Sequence, residues 1–435
     1  MTSSVALVVL DSVRADYFQK YFDWLDGMRF TNAWSTGNYS IPAHGSLFGG
    51  RYPSELGVHA KSQALDCPEP VLAERFQSAG YRTRAYSANA LVGPDLSFDR
   101  GFDEFNPRWD LSATFPHLFS WRDELVDNNS LLKYPRAAFA CLLDRESQTL
   151  PSLRYALSVQ SYDDEGATEA LSFLRDVEFG DQEFLFMNLM EAHWPYWGDA
   201  DFLSYAENPV EESSKTVLGG DIDLSPHEEG YEEWVSYLAE RYRVIYDLLR
   251  TEFDYVITLA DHGELFGEGG AKAHFYGLFE ELTHIPLVIA GSDVPAETRD
   301  DVVSLVDVHA TISAIGDLHP ADRGVNLLAE SSSAPRLVEF HGFRADRLDS
   351  LRADGFDDDD IAPYNQYRTA IAMPVDYYGH ESVDGFVERG TPSGDPQEAM
   401  TTLRESLNVR DVESSNEQML SAGTKDQLER LGYME

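Results

Sequence analysis

Asp254-Tyr-Val-Ile-Thr-Leu-Ala-Asp-His-Gly-Glu264 decides the fold. Its Tyr-Val-Ile-Thr-Leu-Ala core is short, apolar and rich in β-branched and aromatic side chains, which predicts a buried strand. The strand ends on Asp261-His262-Gly263-Glu264. Two other stretches repeat this design. Val5-Ala-Leu-Val-Val-Leu10 runs into Asp11-Ser-Val-Arg14, and Phe184-Leu-Phe-Met-Asn-Leu-Met190 runs into Glu191-Ala-His193-Trp-Pro195. Continuous apolar strands are those of a sheet covered on both faces. Ligands of open α/β sheets collect beyond the carboxyl ends of the strands. Three strands that deliver Asp, His and Asp-His to that edge predict one assembled site.

A fourth segment supplies a nucleophile. In Asn38-Tyr-Ser40-Ile-Pro42-Ala-His44-Gly-Ser-Leu-Phe-Gly-Gly50 the serine stands two residues before a proline, ahead of an apolar helical turn. Proline is accepted in the first turn of a helix, so Ser40 is predicted at a helix N-terminus. Unpaired amides and the helix dipole favour anions there. A hydroxyl held where an anion binds suits attack on a sulfate or phosphate ester.

With these residues in place the chain resembles the sulfatase family of the alkaline phosphatase superfamily. Asp11 falls on that family's N-terminal metal-binding Asp, and Ser40 on the nucleophile of its C/S-x-P-x-R signature. His193-Trp-Pro195 resembles its His-x-Pro motif, and Asp261-His262-Gly263-Glu264 its D-H-G-E metal motif. The likeness continues through Ala273–Ile289, resumes at Val303–Thr311 and persists to the Leu-Gly-Tyr-Met tail. It implies an α/β fold: a central, mostly parallel sheet flanked by helices, plus a small C-terminal antiparallel sheet. The expected division is a catalytic unit over residues 1–330 and a smaller α+β unit over 331–435. A helical, aromatic-rich excursion is expected over about 106–160, and an acidic loop over about 198–230. Strands are expected near 335–340 and 367–373, a hairpin over 377–389, and a last helix near 425–432.

The resemblance also assigns roles. Asp11, Ser40, Asp261 and His262 would hold one divalent cation, and oxygen-dominated ligation suits Ca²⁺, Mg²⁺ or Mn²⁺. Ser40, His193 and His274 are the catalytic candidates. His44, His193, Lys272 and His274 are the candidates for substrate contact, with the division of labour among His193, His274 and Lys272 left open. Arg14 and Glu264 are read as loop buttresses, and His59 as a residue of the site's edge.

The sequence departs from the family pattern twice. Ser12 stands where many members have a second Asp, and His44 where the signature has Arg. That Arg belongs to the sequence read when Cys or Ser is converted to formylglycine, so Ser40 is expected to act unmodified. A sulfo-ester on plain serine has no easy escape, whereas a phospho-serine can be hydrolysed by water at a metal site. The expectation is therefore a hydrolase of sulfate or phosphate esters, tilted toward phosphoryl chemistry, with a small-molecule or glycan ester as substrate. A phosphodiesterase, or a transferase of phospho-alcohol groups onto a glycan, is the alternative. A non-catalytic binding homologue is the other, and retention of the whole residue set argues against it.

Composition bounds the setting. Among 435 residues, 76 acidic against 33 basic side chains give a net charge of −43, and only six residues are lysine. A hydrophobic share of 43% and 12% aromatics separate this chain from disordered acidic proteins. Folded, evenly acidic, lysine-poor chains resemble those of extreme halophiles. At 1 M salt the Debye length is about 3 Å, so self-repulsion is screened. Nucleic acid is excluded as a partner for want of a basic stripe. No signal-like or membrane-length apolar run is visible, so a cytoplasmic location without a membrane span is expected. Cys67 and Cys141 are too few for a disulfide framework and read as buried thiols.

Overall fold

The computed structural model describes residues 3–108, 139, 141–142, 164–194, 196, 225–319, 323–353, 355–412, 420 and 424–425. The apolar run at the start of the chain forms β1 (Val5–Leu10), and every one of its six residues is fully buried. β1 lies between β5 (Glu183–Leu189) and β6 (Tyr255–Leu259), parallel to both. The three predicted strands are thus adjacent and codirectional, so their polar C-terminal residues meet at one edge. Beyond β5 come β3 (Arg82–Ser87) and β4 (Glu104–Pro107), again parallel.

On the other side of β6 the direction reverses. β7 (His284–Gly291) runs antiparallel to β6 and to β2 (Met28–Trp34). The short strands β8 (Thr298–Arg299) and β9 (Val303–Ser304) close that edge, both parallel to β2. The nine strands form one mostly parallel sheet. β10 (Arg336–His341), β11 (Tyr367–Met373), β12 (Tyr377–Ser382) and β13 (Gly385–Arg389) form a second, wholly antiparallel sheet in sequential order.

Several boundaries differ from expectation for local reasons. A long helix covers Ser225–Glu252, so residues 225–230 of the expected acidic loop are helical. Tyr231, Trp234, Val235, Leu238, Tyr242, Ile245 and Leu249 are buried at helical spacing, and that stripe carries the polar first turns with it. Residues 106–107 belong to β4 rather than to a helical excursion. Asp358–Ile361 is a short helix, with Asp357 accepting from the amides of Asp359 and Asp360 at 3.0 Å. Apart from residues 108, 139, 141 and 142, the remainder of the 106–160 excursion lies outside the described residues, as do residues 198–224 and the last helix beyond residue 425.

The small sheet is fastened to the nucleophile segment. The Glu339 amide donates to the Thr36 carbonyl oxygen (3.0 Å), and the Ser54 amide to Glu339 Oε2 (2.9 Å). The Leu337 amide donates to Tyr52 Oη at 3.3 Å. Arg336 forms a two-pronged ion pair with Asp307 of the helix Leu305–Ile315, at 2.7 and 2.8 Å. His59 stacks on His341 of β10 with ring centroids 4.0 Å apart, so it belongs to this seam. Cys67 and Cys141 are buried free thiols. No helix among the described residues is long and apolar enough to cross a membrane.

Candidate active site

Ser40 is the first residue of the helix Ser40–Gly49, with extended Tyr39 as its N-cap and left-handed Gly50 as its C-cap. Every residue of this helix is buried. Ser40 Oγ lies 3.4 Å from Asp11 Oδ2 and 3.3 Å from His262 Nε2. Asp11, Asp261 and His262 each place a ligand-competent atom within 4.8 Å of the others. Four of the predicted residues therefore converge at the carboxyl ends of β1 and β6 and the start of one helix.

The cluster is oriented by its neighbours. His262 Nδ1 faces the Gly263 carbonyl oxygen at 2.8 Å, which leaves Nε2 toward Asp11 (3.7 Å) and Asp261 (3.4 Å). Gly263 admits no side chain there, because a Cβ would stand 2.0 Å from the Glu281 carbonyl oxygen. Asp261 Oδ1 accepts from the amides of Ser12 (3.2 Å) and His262 (3.0 Å). Ser12 adopts φ +61° and donates from Oγ to Asp11 Oδ1 at 3.0 Å. Ser12 thereby braces both carboxylates.

Two residues that the sequence reading missed complete the inner ring. Asn89 Nδ2 donates to Asp11 Oδ2 (2.7 Å) and lies 3.0 Å from Ser40 Oγ. Asn188 Nδ2 donates to Asp11 Oδ2 (3.1 Å) and faces His44 Nε2 (3.3 Å). A polar side chain inside the apolar run of β5 was the available signal for Asn188. Asn89 follows β3 and had none beyond its strand-end position.

His44 is wholly buried, with edge-on contacts to Phe48, Phe98 and Phe186. Its Nδ1 faces the Ser40 carbonyl oxygen at 2.9 Å and stands 3.5 Å from Asp261 Oδ2. It thereby engages the Ser40 backbone. His274 packs against His262 on one side and His193 on the other, with centroids 4.6 and 4.9 Å apart. His274 Nδ1 lies 3.3 Å from Glu264 Oε1, and Tyr196 donates to Glu264 Oε2 at 3.0 Å. Arg14 reaches the Glu264 carbonyl oxygen and Glu268, in keeping with a buttress. Lys272 is buried, with Nζ 3.0 Å from His227 Nε2.

Electrostatics follow from burial. Burial alone would raise Asp11, but His193, His262, His44 and the Asn188 hydrogen bond together hold it down at about 2. Asp261 is shifted up, by burial and then by Asp11. Burial works against a charged His262, yet the two aspartates raise it. His193 is pushed down to about 4 by burial and His274, and His274 falls well below the usual imidazole range through burial and then His262. Burial lifts Glu264 to about 7.

The donor set fits a hard cation. Two carboxylates, one imidazole with its Nδ1 engaged elsewhere and one hydroxyl converge, and the buried Asp261 Oδ2 has no hydrogen-bond partner. Such an atom is costly unless a ligand meets it.

Comparison with known proteins gives the same direction. Residues 5–318 match the family described as Sulfatase. Over 348 residues the chain is 23% identical to the uncharacterised sulfatase YidJ of Escherichia coli K12, covering 73% of this chain and 67% of that one. Over 399 residues it is 24% identical to an arylsulfatase of Hemicentrotus pulcherrimus, covering 83% and 64%. The match thus spans about two thirds of the length of these relatives. The solved phosphonate monoester hydrolase SpPMH of Silicibacter pomeroyi shares the fold. Its TM-score is 0.62 at 17% identity, covering 95% of this chain and 97% of that one.

Proposed function

The chain belongs to the sulfatase family, and from that premise we propose that it is a metal-dependent hydrolase of sulfate or phosphate esters in which Ser40 attacks the ester. The observation that carries this reading is the convergence of Ser40 Oγ with Asp11 Oδ2 and His262 Nε2, beside Asp261 Oδ2, which has no hydrogen-bond partner among the described residues.

Asp11, Asp261, His262 and Ser40 Oγ would hold one Ca²⁺, Mg²⁺ or Mn²⁺. When bound, that ion would favour the ionised hydroxyl and offset charge on the ester. The chain's own residues do the rest. Asn89 steadies the Ser40 oxygen, and the helix N-terminus favours an anion at that point. His44 fixes the Ser40 carbonyl and thereby the first helical turn. His193 and His274, whose burial disfavours the charged form, are donors for the leaving oxygen or for a non-bridging oxygen, with Lys272 as the third candidate.

With His44 in place of the signature Arg, we take Ser40 to be unmodified. That favours phosphate esters, since a phospho-serine hydrolyses where a sulfo-serine would persist. Ser40→Ala should remove nearly all activity while metal stays bound. A turnover trapped at low pH should leave phosphate on an otherwise unaltered Ser40 peptide, read by mass spectrometry. Formylglycine at position 40 would move the substrate to sulfate esters, and an active Ser40→Ala enzyme would refute the mechanism.

The net charge of −43 supports a molar-salt, intracellular setting. The thermal transition should fall and broaden as KCl drops from molar to ~0.1 M, where the Debye length is about 10 Å. An unchanged melting curve would count against salt adaptation. We place the junction between the catalytic and C-terminal units near residue 330.

A further inference from the structure

A pocket beside the cluster has no part in the reaction proposed above. Its lining includes Asn38, Tyr39, His274, Arg344, Asp346 and Arg347, so it shares one wall with the site. Tyr39 is the N-cap of the nucleophile helix and is only 8% exposed. Among the described residues its hydroxyl has no hydrogen-bond partner. A buried hydroxyl left unpaired opposes folding unless something else meets it.

Two arginines line this pocket together with Tyr39. Arg344 is oriented by Asp346, through Nε (3.1 Å) and Nη2 (3.0 Å). Arg347 lies flat over Phe275, its guanidinium carbon 3.7 Å from the ring centroid. Phe275 follows His274 directly, so this stack joins the pocket to the histidine wall. In a chain of 33 basic and 76 acidic residues, two arginines at the mouth of one site go against the composition. Guanidinium and phenol hydroxyl together donate to an acceptor, and the arginine fork suits planar or tetrahedral oxyanions.

We propose that Tyr39, Arg344 and Arg347 form a subsite for a second anionic group, a sulfate, phosphate or carboxylate, on the substrate whose ester is cleaved at Ser40. The substrate would then be a multiply charged sugar or similar polyanion, not a simple aryl ester. This rests on the reading of Ser40 as the reacting centre. Because Tyr39 and Ser40 are consecutive, the subsite sits at a fixed offset from the nucleophile.

Binding tests this without turnover. Metal-loaded Ser40→Ala protein, at one fixed molar KCl concentration, is titrated calorimetrically with three disaccharides. They carry one sulfate, two sulfates, or one sulfate and one uronate carboxylate. At least one two-anion sugar should bind about tenfold more tightly than the monosulfate, and which of them does so identifies the second group. Adding Arg347→Gln should remove most of that gain. Adding Tyr39→Phe should remove part of it while the melting temperature holds or rises, since only an unpartnered hydroxyl is lost. Equal affinities for all three sugars, or a gain that survives both substitutions, would overturn the subsite. If the parent enzyme hydrolyses no ester, the reading of Ser40 fails, and the binding comparison still decides the pocket.

Discussion

Two groups of buried acids sit at the same edge of the large sheet and are relieved in different ways. At the ends of β1 and β6, Asp11 and Asp261 converge with His262 beside Ser40, and the oxygen Asp261 Oδ2 has no hydrogen-bond partner among the described residues. Past the ends of β4 and β5, Asp164, Glu165, Glu169 and Glu191 gather around Arg108. Arg108 donates to Glu165 at 2.6 Å and lies 3.7 Å from Glu169. Asp164 accepts from Tyr237 at 2.7 Å, and Glu191 from the Ala167 amide at 2.5 Å. Burial raises Glu169 to about 7 and Glu191 to about 8, so this group sheds charge by holding protons as well as by enclosing an arginine. The first group has histidines and amides but no arginine or lysine paired to either aspartate among the described residues. On the reading proposed above, a cation completes it. Buried carboxylates alone therefore do not mark a metal site. Convergence of their oxygens does.

The sharpest way to break this comparison is Asp261→Ala. Bound metal should drop, and hydrolysis should fall about 10³-fold or more, since such an ion supplies several kcal/mol to the transition state. Glu191→Gln should keep the parent's metal content, measured by the same elemental analysis. Full occupancy in Asp261→Ala would erase the distinction.

Next in size is Arg108→Met. Taking one partner from a buried charge group should cost about 3–5 kcal/mol of unfolding free energy, read by urea denaturation at constant KCl. Metal content should not change. A loss below about 1 kcal/mol would mean that protons alone balance the second group.

The smallest effect sharpens the proton argument. Glu191 in the folded chain keeps its proton up to about pH 8, while the unfolded chain loses it near 4.5. Over that window the folded state binds more protons, so this residue costs stability as pH rises. Glu191→Gln should therefore gain on the parent by about 3.5 kcal/mol between pH 5 and pH 8. Melting curves at both pH values would show it. An equal difference at both would mean that Glu191 is ionised throughout.

Much of the site was legible because its chemistry sits on local patterns. Apolar runs ending in Asp11, Glu191 to His193, and Asp261-His262 announce parallel strands and their common edge. Ser40 and Pro42 announce the helix start. Strand direction beyond β6 was not legible, since the reversal at β7 and β2 depends on pairing partners far apart in sequence. Asn89 and Asn188 carry no motif, and their importance comes from distances to Asp11 that only folding creates. His44 was read as a substrate contact from its place in the signature, and its contacts with three phenylalanines and the Ser40 carbonyl oxygen come only from the fold. Residues 225–230 looked like loop because glutamates, glycine and proline dominate them, yet the apolar stripe that follows draws them into the helix.

The contacts of β10 with Thr36, Tyr52 and Ser54 have a consequence for synthesis on the ribosome. The nucleophile helix is made within the first 50 residues, and the strand that ties down its flanks arrives almost 300 residues later. For most of translation the Ser40 segment exists without its anchors. Catalytic competence should therefore appear late and abruptly, when residues near 340 leave the exit tunnel. A nascent chain halted before that point would carry Ser40 and the aspartates, but not the braces that hold its helix in place.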